Sequence, residues 1–230
     1  RITEYLKKKK NASLLAIQIS YYAGLRIGEV AGLSWNDVNL EEQHLTIRRS
    51  LNCNSTRHKL ELGPTKSNKV RIVDFGDTLA EILRKAKKEQ LKQRLQYGEL
   101  YKRNYYKEVK EKNRIHYELY SLDGTQEVPE DYKEISLVCV RKDGMYLGTD
   151  ALSNMCSSIA KHVEGLEHFH FHLLRHTFTS NLLASGAPPK DVQELLGHSA
   201  VSTTMNIYAH ATREAKRNSV RLLDKVAGND

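Results

Sequence analysis

The chain has 230 residues, of which 40% are hydrophobic and 28% charged, a composition typical of a globular protein with its own core. No apolar run approaches the roughly 20 residues of a membrane span, which argues against membrane insertion. The three cysteines, Cys53, Cys139 and Cys156, lie far apart and in no metal-ligand spacing. They indicate a reducing, cytoplasmic compartment rather than a disulfide framework.

The net charge of +8 is concentrated in one segment. Residues 84–114 hold twelve Lys and Arg against four Glu, which accounts for the whole excess. A basic segment compatible with a helix indicates a polyanionic partner, most naturally nucleic acid. A solvated helix face with a skewed charge ratio would give the same pattern.

In the first part of the chain, apolar spacing predicts helices and alternation predicts strands. The predicted helices span residues 12–23, 27–33 and 77–97, and the predicted strands span 43–51 and 69–75. Gly24 ends the first helix and Asp77 is the expected N-cap of the long polar one. Gly63 and Pro64 mark a loop between the strands, which suggests a small antiparallel sheet.

Residues 98–135 are rich in Tyr, Lys and Glu without a clear period, and we interpret them as an extended or partly helical insertion. Beyond them we expect a short strand over 137–140 and helices over 149–162, 172–184, 188–196, 202–208 and 212–226. The predicted fold class is therefore α+β: a mostly α-helical domain with a small antiparallel sheet or hairpin, spanning the whole chain.

Three cationic or titratable side chains share one face of the helix predicted over 172–184. His172, Arg175 and His176 are spaced by three and four residues, which places them side by side. A solvent-exposed polar face is one interpretation. Zinc binding is another, because His168 and His170 lie just upstream, although the acidic residue of the zinc-protease motif is missing.

Other candidate residues are scattered along the chain. Arg26 follows the end of the first helix, and Glu29 is placed to hold its guanidinium. Lys66 lies in the loop between the strands, His198 follows a helix end, and Tyr208 comes ten residues later. Taken singly, these patterns fit a structural Arg–Glu pair, a solvated lysine and a packing tyrosine equally well.

Their order resembles the catalytic signature of the tyrosine recombinases, the phage-type integrases of mobile elements. The motifs are Gly24-Leu25-Arg26 with a following Glu, Lys66, His172-Leu173-Leu174-Arg175-His176, Leu196-Gly197-His198 and Tyr208. The resemblance runs from about Leu14 to the C-terminus. It implies six catalytic residues: Arg26, Lys66, His172, Arg175, His198 and Tyr208. Lys59 and Lys69 are alternative candidates for the catalytic lysine. The match of Pro64-Thr65-Lys66-Ser67 to the family favours Lys66.

The resemblance implies phosphoryl transfer without a metal ion, ATP or any other cofactor. Arginine suits the non-bridging oxygens of a phosphodiester because its planar fork binds two oxygens and keeps its charge. Tyr208 would attack phosphorus, a histidine would help remove its proton, and Lys66 would protonate the departing 5′ oxygen. The product would be a 3′-phosphotyrosyl link that is rejoined to another strand, as in integration and excision of a mobile element.

The resemblance also implies partners. The substrate would be double-stranded DNA, and two duplexes would need a homotetramer, with the helix over 212–226 either exchanged between subunits or packed on its own domain. N-terminal DNA-binding domains are expected outside this chain, which starts at Arg1 in a helical pattern. Two alternatives stay open: a type IB topoisomerase, and a non-enzymatic helix-turn-helix module over 172–196.

Overall fold

The computed structural model describes residues 1–9, 11–54, 59–66, 68–111, 114–197, 201–202 and 204–205. Its named helices are α1 (Ile2–Lys8), α2 (Ser13–Ala23), α3 (Ile27–Ala31), α4 (Asp77–Tyr97), α5 (Thr149–His162), α6 (His172–Ala184) and α7 (Pro189–Leu196). Its strands are β1 (Val38–Asn39), β2 (His44–Ile47), β3 (Ser50–Asn54), β4 (Lys59–Gly63), β5 (Arg71–Asp74), β6 (Arg103–Glu111), β7 (Arg114–Leu122) and β8 (Tyr132–Glu134).

The helix predictions are largely confirmed because apolar spacing and terminating glycines agree along these segments. The ends predicted for α5 and α6 match to the residue, and α2 and α7 end at Gly24 and Gly197 as expected. One cap was predicted wrongly: Gly76 is the N-cap of α4, and Asp77 lies in its first turn. A carboxylate there still faces the positive end of the helix dipole. The helices predicted over 202–208 and 212–226 lie mostly or wholly outside the described residues.

The predicted pairing of two strands is confirmed, with a more complex connection between them. β2 pairs with β5 in a three-stranded antiparallel sheet of order β1-β2-β5. The strand predicted over 43–51 ends early, and its last residues start β3, which belongs to a different sheet. The strand predicted over 137–140 forms only isolated bridges, at Leu137 and Val140.

The segment 98–135 is mainly β-structure, which confirms that it is extended, and the helix named in its described part is the short 3₁₀ helix Gly98–Leu100. β6, β7 and β8 join the β3–β4 hairpin in a five-stranded antiparallel sheet of order β3-β4-β7-β6-β8. Apolar alternation is missing because polar groups occupy buried positions: His116 and Glu118 are 3% and 6% exposed. Lys59 Nζ donates to both carboxylate oxygens of Glu118, at 2.9 and 2.8 Å.

One large apolar core unites α1 to α6 with the three-stranded sheet, and a smaller cluster attaches α7. Phe178 and Leu183 of α6 pack there against Val192 and Leu196 of α7. The smaller cluster therefore sets where the C-terminal end of α7 lies relative to α6. In the part of the chain that is described, no helix is long and apolar enough to cross a membrane.

Candidate active site

Arg175 is the buried centre of the site. It projects from α6, is 1% exposed, and donates from Nη1 to the carbonyl oxygen of Gly24 at 2.7 Å and from Nη2 to that of Leu196 at 2.6 Å. Its Nε finds no hydrogen-bond partner among the described residues. Burial, followed by the charge of Arg26, lowers the pKa of Arg175 to about 9. The guanidinium therefore stays charged at neutral pH.

Both carbonyls that hold Arg175 lie where a helix ends in a left-handed glycine. Gly24 has φ 65° and Gly197, which follows Leu196, has φ 64°. A Cβ on Gly24 would lie 2.5 Å from Cδ1 of Phe178. Left-handed backbone and close packing both require glycine at this position. The fold thus explains why the Gly-Leu-Arg and Leu-Gly-His motifs have glycine at positions 24 and 197.

Arg26 is the N-cap of α3 and is held by Glu29, as the sequence predicted. Its Nη1 donates to Oε1 of Glu29 at 3.0 Å, and its backbone N–H donates to Oε2 at 3.0 Å. The Arg26 side chain is 23% exposed, whereas that of Glu29 is 1% exposed. The buried carboxylate therefore anchors a guanidinium that still reaches solvent.

Arg71 is a third arginine of this cluster, and sequence reasoning missed it. From β5 it donates Nη1 to Oε1 of Glu29 at 2.9 Å, Nη2 to Oε2 at 2.7 Å, and Nε to the carbonyl oxygen of Leu195 at 3.0 Å. The available signal was strand alternation, which places Arg71 on the same side as the buried Val73 and opposite the exposed Ile72.

Glu29 is consequently shared by two guanidiniums. Burial raises its pKa, but the hydrogen bonds and charge of Arg71, followed by those of Arg26, outweigh burial and lower the pKa below its ordinary value. Glu29 is thus ionised at neutral pH although it is almost fully buried.

The two histidines of α6 form a neutral pair at the edge of the arginine cluster. The rings of His172 and His176 meet edge to face with centroids 4.6 Å apart. Desolvation and the charges of His176, Arg175 and Arg26 lower the pKa of His172 to about 4. Part of the His172 side chain still reaches solvent, so the unprotonated imidazole is open to an incoming group.

Lys66 lies in the connection from β4 to β5. Thr65 anchors this turn, since its carbonyl oxygen accepts from the backbone N–H of Asn68 at 2.9 Å and its Oγ1 donates to the carbonyl of Lys69 at 2.9 Å. The Lys66 side chain is exposed, and no hydrogen bond or ion pair joins it to another described residue. Lys59, one competitor, is paired with Glu118 instead.

The remaining two predicted residues, His198 and Tyr208, lie outside the described residues. The structure thus brings together Arg26, His172 and Arg175. Among the described residues there is no group of three His, Cys, Asp or Glu side chains able to hold a metal ion. The zinc alternative therefore finds no ligand set in that part of the chain.

Comparison with known proteins identifies the family. The sequence model of the phage integrase family matches residues 1–215. This chain belongs to the phage integrase family. A XerC-like tyrosine recombinase of Caldanaerobacter subterraneus subsp. tengcongensis is 27% identical to this integrase-family chain over 232 residues, which cover 97% of the chain and 51% of that protein. XerC of Pediococcus pentosaceus is 29% identical over 219 residues, which cover 95% of this chain and 55% of that protein.

Solved structures of the family share the fold. The Tn1549 transposon integrase in complex with transposon right end DNA superposes with a TM-score of 0.66 at 20% identity, covering 97% of this chain and 63% of that one. The XerA recombinase superposes with a TM-score of 0.62 at 20% identity, covering 96% of this chain and 61% of that one. The predicted fold class is confirmed. The chain spans about half the length of the curated relatives it matches.

Proposed function

We propose that this phage integrase family chain is the strand-cutting portion of a site-specific DNA recombinase. The observation that carries the proposal is the buried network in which Arg175 and Arg26 are held beside His172 without a carboxylate pairing directly to Arg175 among the described residues. Two fixed guanidiniums suit the two non-bridging oxygens of a phosphodiester, whose charge grows in the transition state.

The arginines retain donors for a phosphate. The guanidinium of Arg175 has five N–H groups, and its two carbonyl partners use two of them. Arg26 is partly exposed, and its Nη2 has no partner among the described residues, since Glu29 pairs with its Nη1. A phosphate between them would therefore receive donors from two separate elements of the fold.

The proton transfers fall to the remaining predicted residues. The phenol oxygen of Tyr208 attacks phosphorus as neutral His172, or His198, takes its proton. The bond from phosphorus to the 5′ oxygen breaks, and Lys66 donates a proton to that oxygen. A 3′-phosphotyrosyl link remains, and attack by another 5′ hydroxyl reverses the step.

Double-stranded DNA is the proposed substrate, and a homotetramer is the proposed assembly, with residues 212–226 contacting a neighbouring subunit. A cleft of about 680 Å³ beside α4 supports contact with phosphates. Its lining includes Arg84, Lys87, Lys88, Arg94, Lys102 and Arg103. The helix-turn-helix alternative is weaker because α7, the helix that would enter the groove, exposes Asp191 and Glu194.

A trap for the covalent intermediate tests the proposal. The full-length protein is incubated in chelator with a pool of nicked duplexes whose sequence around the nick is randomised, so that the released fragment cannot religate. We expect a covalent protein–DNA band on a denaturing gel, absent in Tyr208→Phe and present in the matched control Tyr97→Phe. A band that survives in Tyr208→Phe, or none from a folded protein that binds DNA, contradicts the proposal.

A second assay separates recombination from the topoisomerase alternative. Sequences recovered from the covalent band are built into two different duplexes, and exchange of labelled strands between them is measured. A recombinase yields hybrid strands, whereas a type IB topoisomerase relaxes a supercoiled plasmid without exchange. Relaxation alone would replace the proposal by that alternative.

A further inference from the structure

Arg71 differs from the other two arginines of the cluster in having every side-chain nitrogen used inside the protein. Its two terminal nitrogens bind the carboxylate of Glu29 and its Nε binds the carbonyl oxygen of Leu195. The side chain is 9% exposed. A guanidinium engaged at all three nitrogens and largely buried holds other groups in position and is not placed to bind DNA itself.

Glu29 gives Arg71 a role in the charge of the site. A buried carboxylate paired with Arg26 alone would cancel the positive charge that a phosphate is expected to meet. With Arg71 present, one carboxylate is shared by two guanidiniums, so the trio keeps one net positive charge. The bidentate Arg71–Glu29 contact offsets the charge of the carboxylate, so the charge of Arg26 is not cancelled and can stabilise the phosphate in the transition state.

Arg71 also binds the end of α7, which holds Arg175 in place. Leu195 and Leu196 end α7, and their carbonyl oxygens accept from Arg71 and Arg175 respectively. Gly197 packs against Arg71, since a Cβ there would lie 2.9 Å from its Cδ. A shift of Arg71 would therefore be transmitted both to Arg26, through Glu29, and to Arg175, through the end of α7.

We propose that Arg71 is a positioning residue for strand cleavage: it fixes Arg26 through Glu29 and Arg175 through the end of α7, and keeps the cluster positively charged, without contacting the phosphate. This inference rests on the proposed function. It assigns to Arg71 a role in the rate of cleavage and none in DNA affinity.

The test separates affinity from rate in the full-length protein. Covalent-adduct formation on a nicked duplex is timed at saturating DNA, and the dissociation constant is measured by fluorescence anisotropy. For Arg71→Gln we expect cleavage to fall about a hundredfold, as small misplacements of catalytic groups do, while affinity changes less than about threefold. Arg71→Lys keeps the charge and loses the fork, so we expect a fall of only about three- to tenfold.

Arg49→Gln is the matched control. Arg49 also pairs with a buried carboxylate, donating to Asp37 at 2.7 Å, and a second arginine, Arg48, binds the same group. We expect its cleavage rate to stay within about twofold of wild type, because no hydrogen bond or ion pair joins Arg49 or Asp37 to the described residues of the cluster.

Several outcomes overturn the role of Arg71. They are a cleavage rate for Arg71→Gln within threefold of wild type, a parallel loss of affinity and rate, and a folded Arg71→Lys no faster than Arg71→Gln. If Arg71→Gln does not fold, Arg71→Lys decides, and a rate within twofold of wild type refutes the inference. A wild-type protein without any adduct refutes the proposed function instead, so the two failures are distinguishable.

Discussion

Gly24→Ala tests how the arginine cluster is held together. Gly24 ends α2 with φ 65°, and an added Cβ would lie 2.5 Å from Cδ1 of Phe178 and 2.9 Å from Cδ2 of Leu196. Left-handed alanine costs about 1–2 kcal/mol, and forcing a methyl group into a packed core costs about 1–3 kcal/mol. We expect the free energy of unfolding to fall by about 2–5 kcal/mol.

Urea denaturation followed by fluorescence of Trp35, the single tryptophan, measures this loss at constant m-value. Gly186→Ala is the matched control, because Gly186 has φ 90° and an added Cβ there would meet no other described residue within 4 Å. The control should lose only the backbone cost, about 1–2 kcal/mol. Equal losses in the two variants would refute the packing argument. Because the carbonyl of Gly24 binds Arg175, cleavage should fall in Gly24→Ala alone.

Three further predictions concern titratable groups. Glu29→Gln leaves two guanidiniums facing an amide, so the free energy of unfolding should fall by about 3–5 kcal/mol at neutral pH. That loss should shrink as the pH falls through the lowered pKa of Glu29, because the wild-type carboxylate is then protonated too; a pH-independent loss contradicts this. His172 should titrate near pH 4 in histidine-ring NMR, absent in His172→Asn, and its contribution to stability should be lost as the pH drops from about 6.5 towards 4. A titration midpoint of His172 at the ordinary histidine pKa would refute the neutral pair of His172 and His176. Lys59→Met removes the lysine that binds buried Glu118, which also accepts from the Tyr120 hydroxyl, and this should weaken the five-stranded sheet by about 1–3 kcal/mol. Unchanged hydrogen exchange of the β6 and β7 amides would contradict this.

The sequence predicted helices best where two independent signals coincide. The ends of α5 and α6 were predicted to the residue, and Gly24 and Gly197 marked the ends of α2 and α7. The pairing of Arg26 with Glu29 was also predictable, because the two are three residues apart at the start of one helix. Local spacing is sufficient for such features.

Features that depend on distant contacts were not predictable in this way. Arg71 meets Glu29 across 42 residues and Leu195 across 124, and strand alternation alone gives no partner for an inward arginine. The five-stranded sheet was missed for a related reason. Its buried positions include His116 and Glu118, so the hydrophobic alternation that announces a strand is absent from the segment.

The cluster shows how a protein can bury a cation and keep its charge available. A carboxylate beside Arg175 would stabilise it but cancel the attraction for a phosphate. Two helix ends hold it instead: the carbonyls of Gly24, at the end of α2, and Leu196, at the end of α7, lie at the negative ends of their helix dipoles. Partial charges offset part of the desolvation and leave the formal charge uncancelled. Glu29, the fully buried carboxylate among the described residues of the cluster, is shared by two arginines, so here too the positive charge is not cancelled.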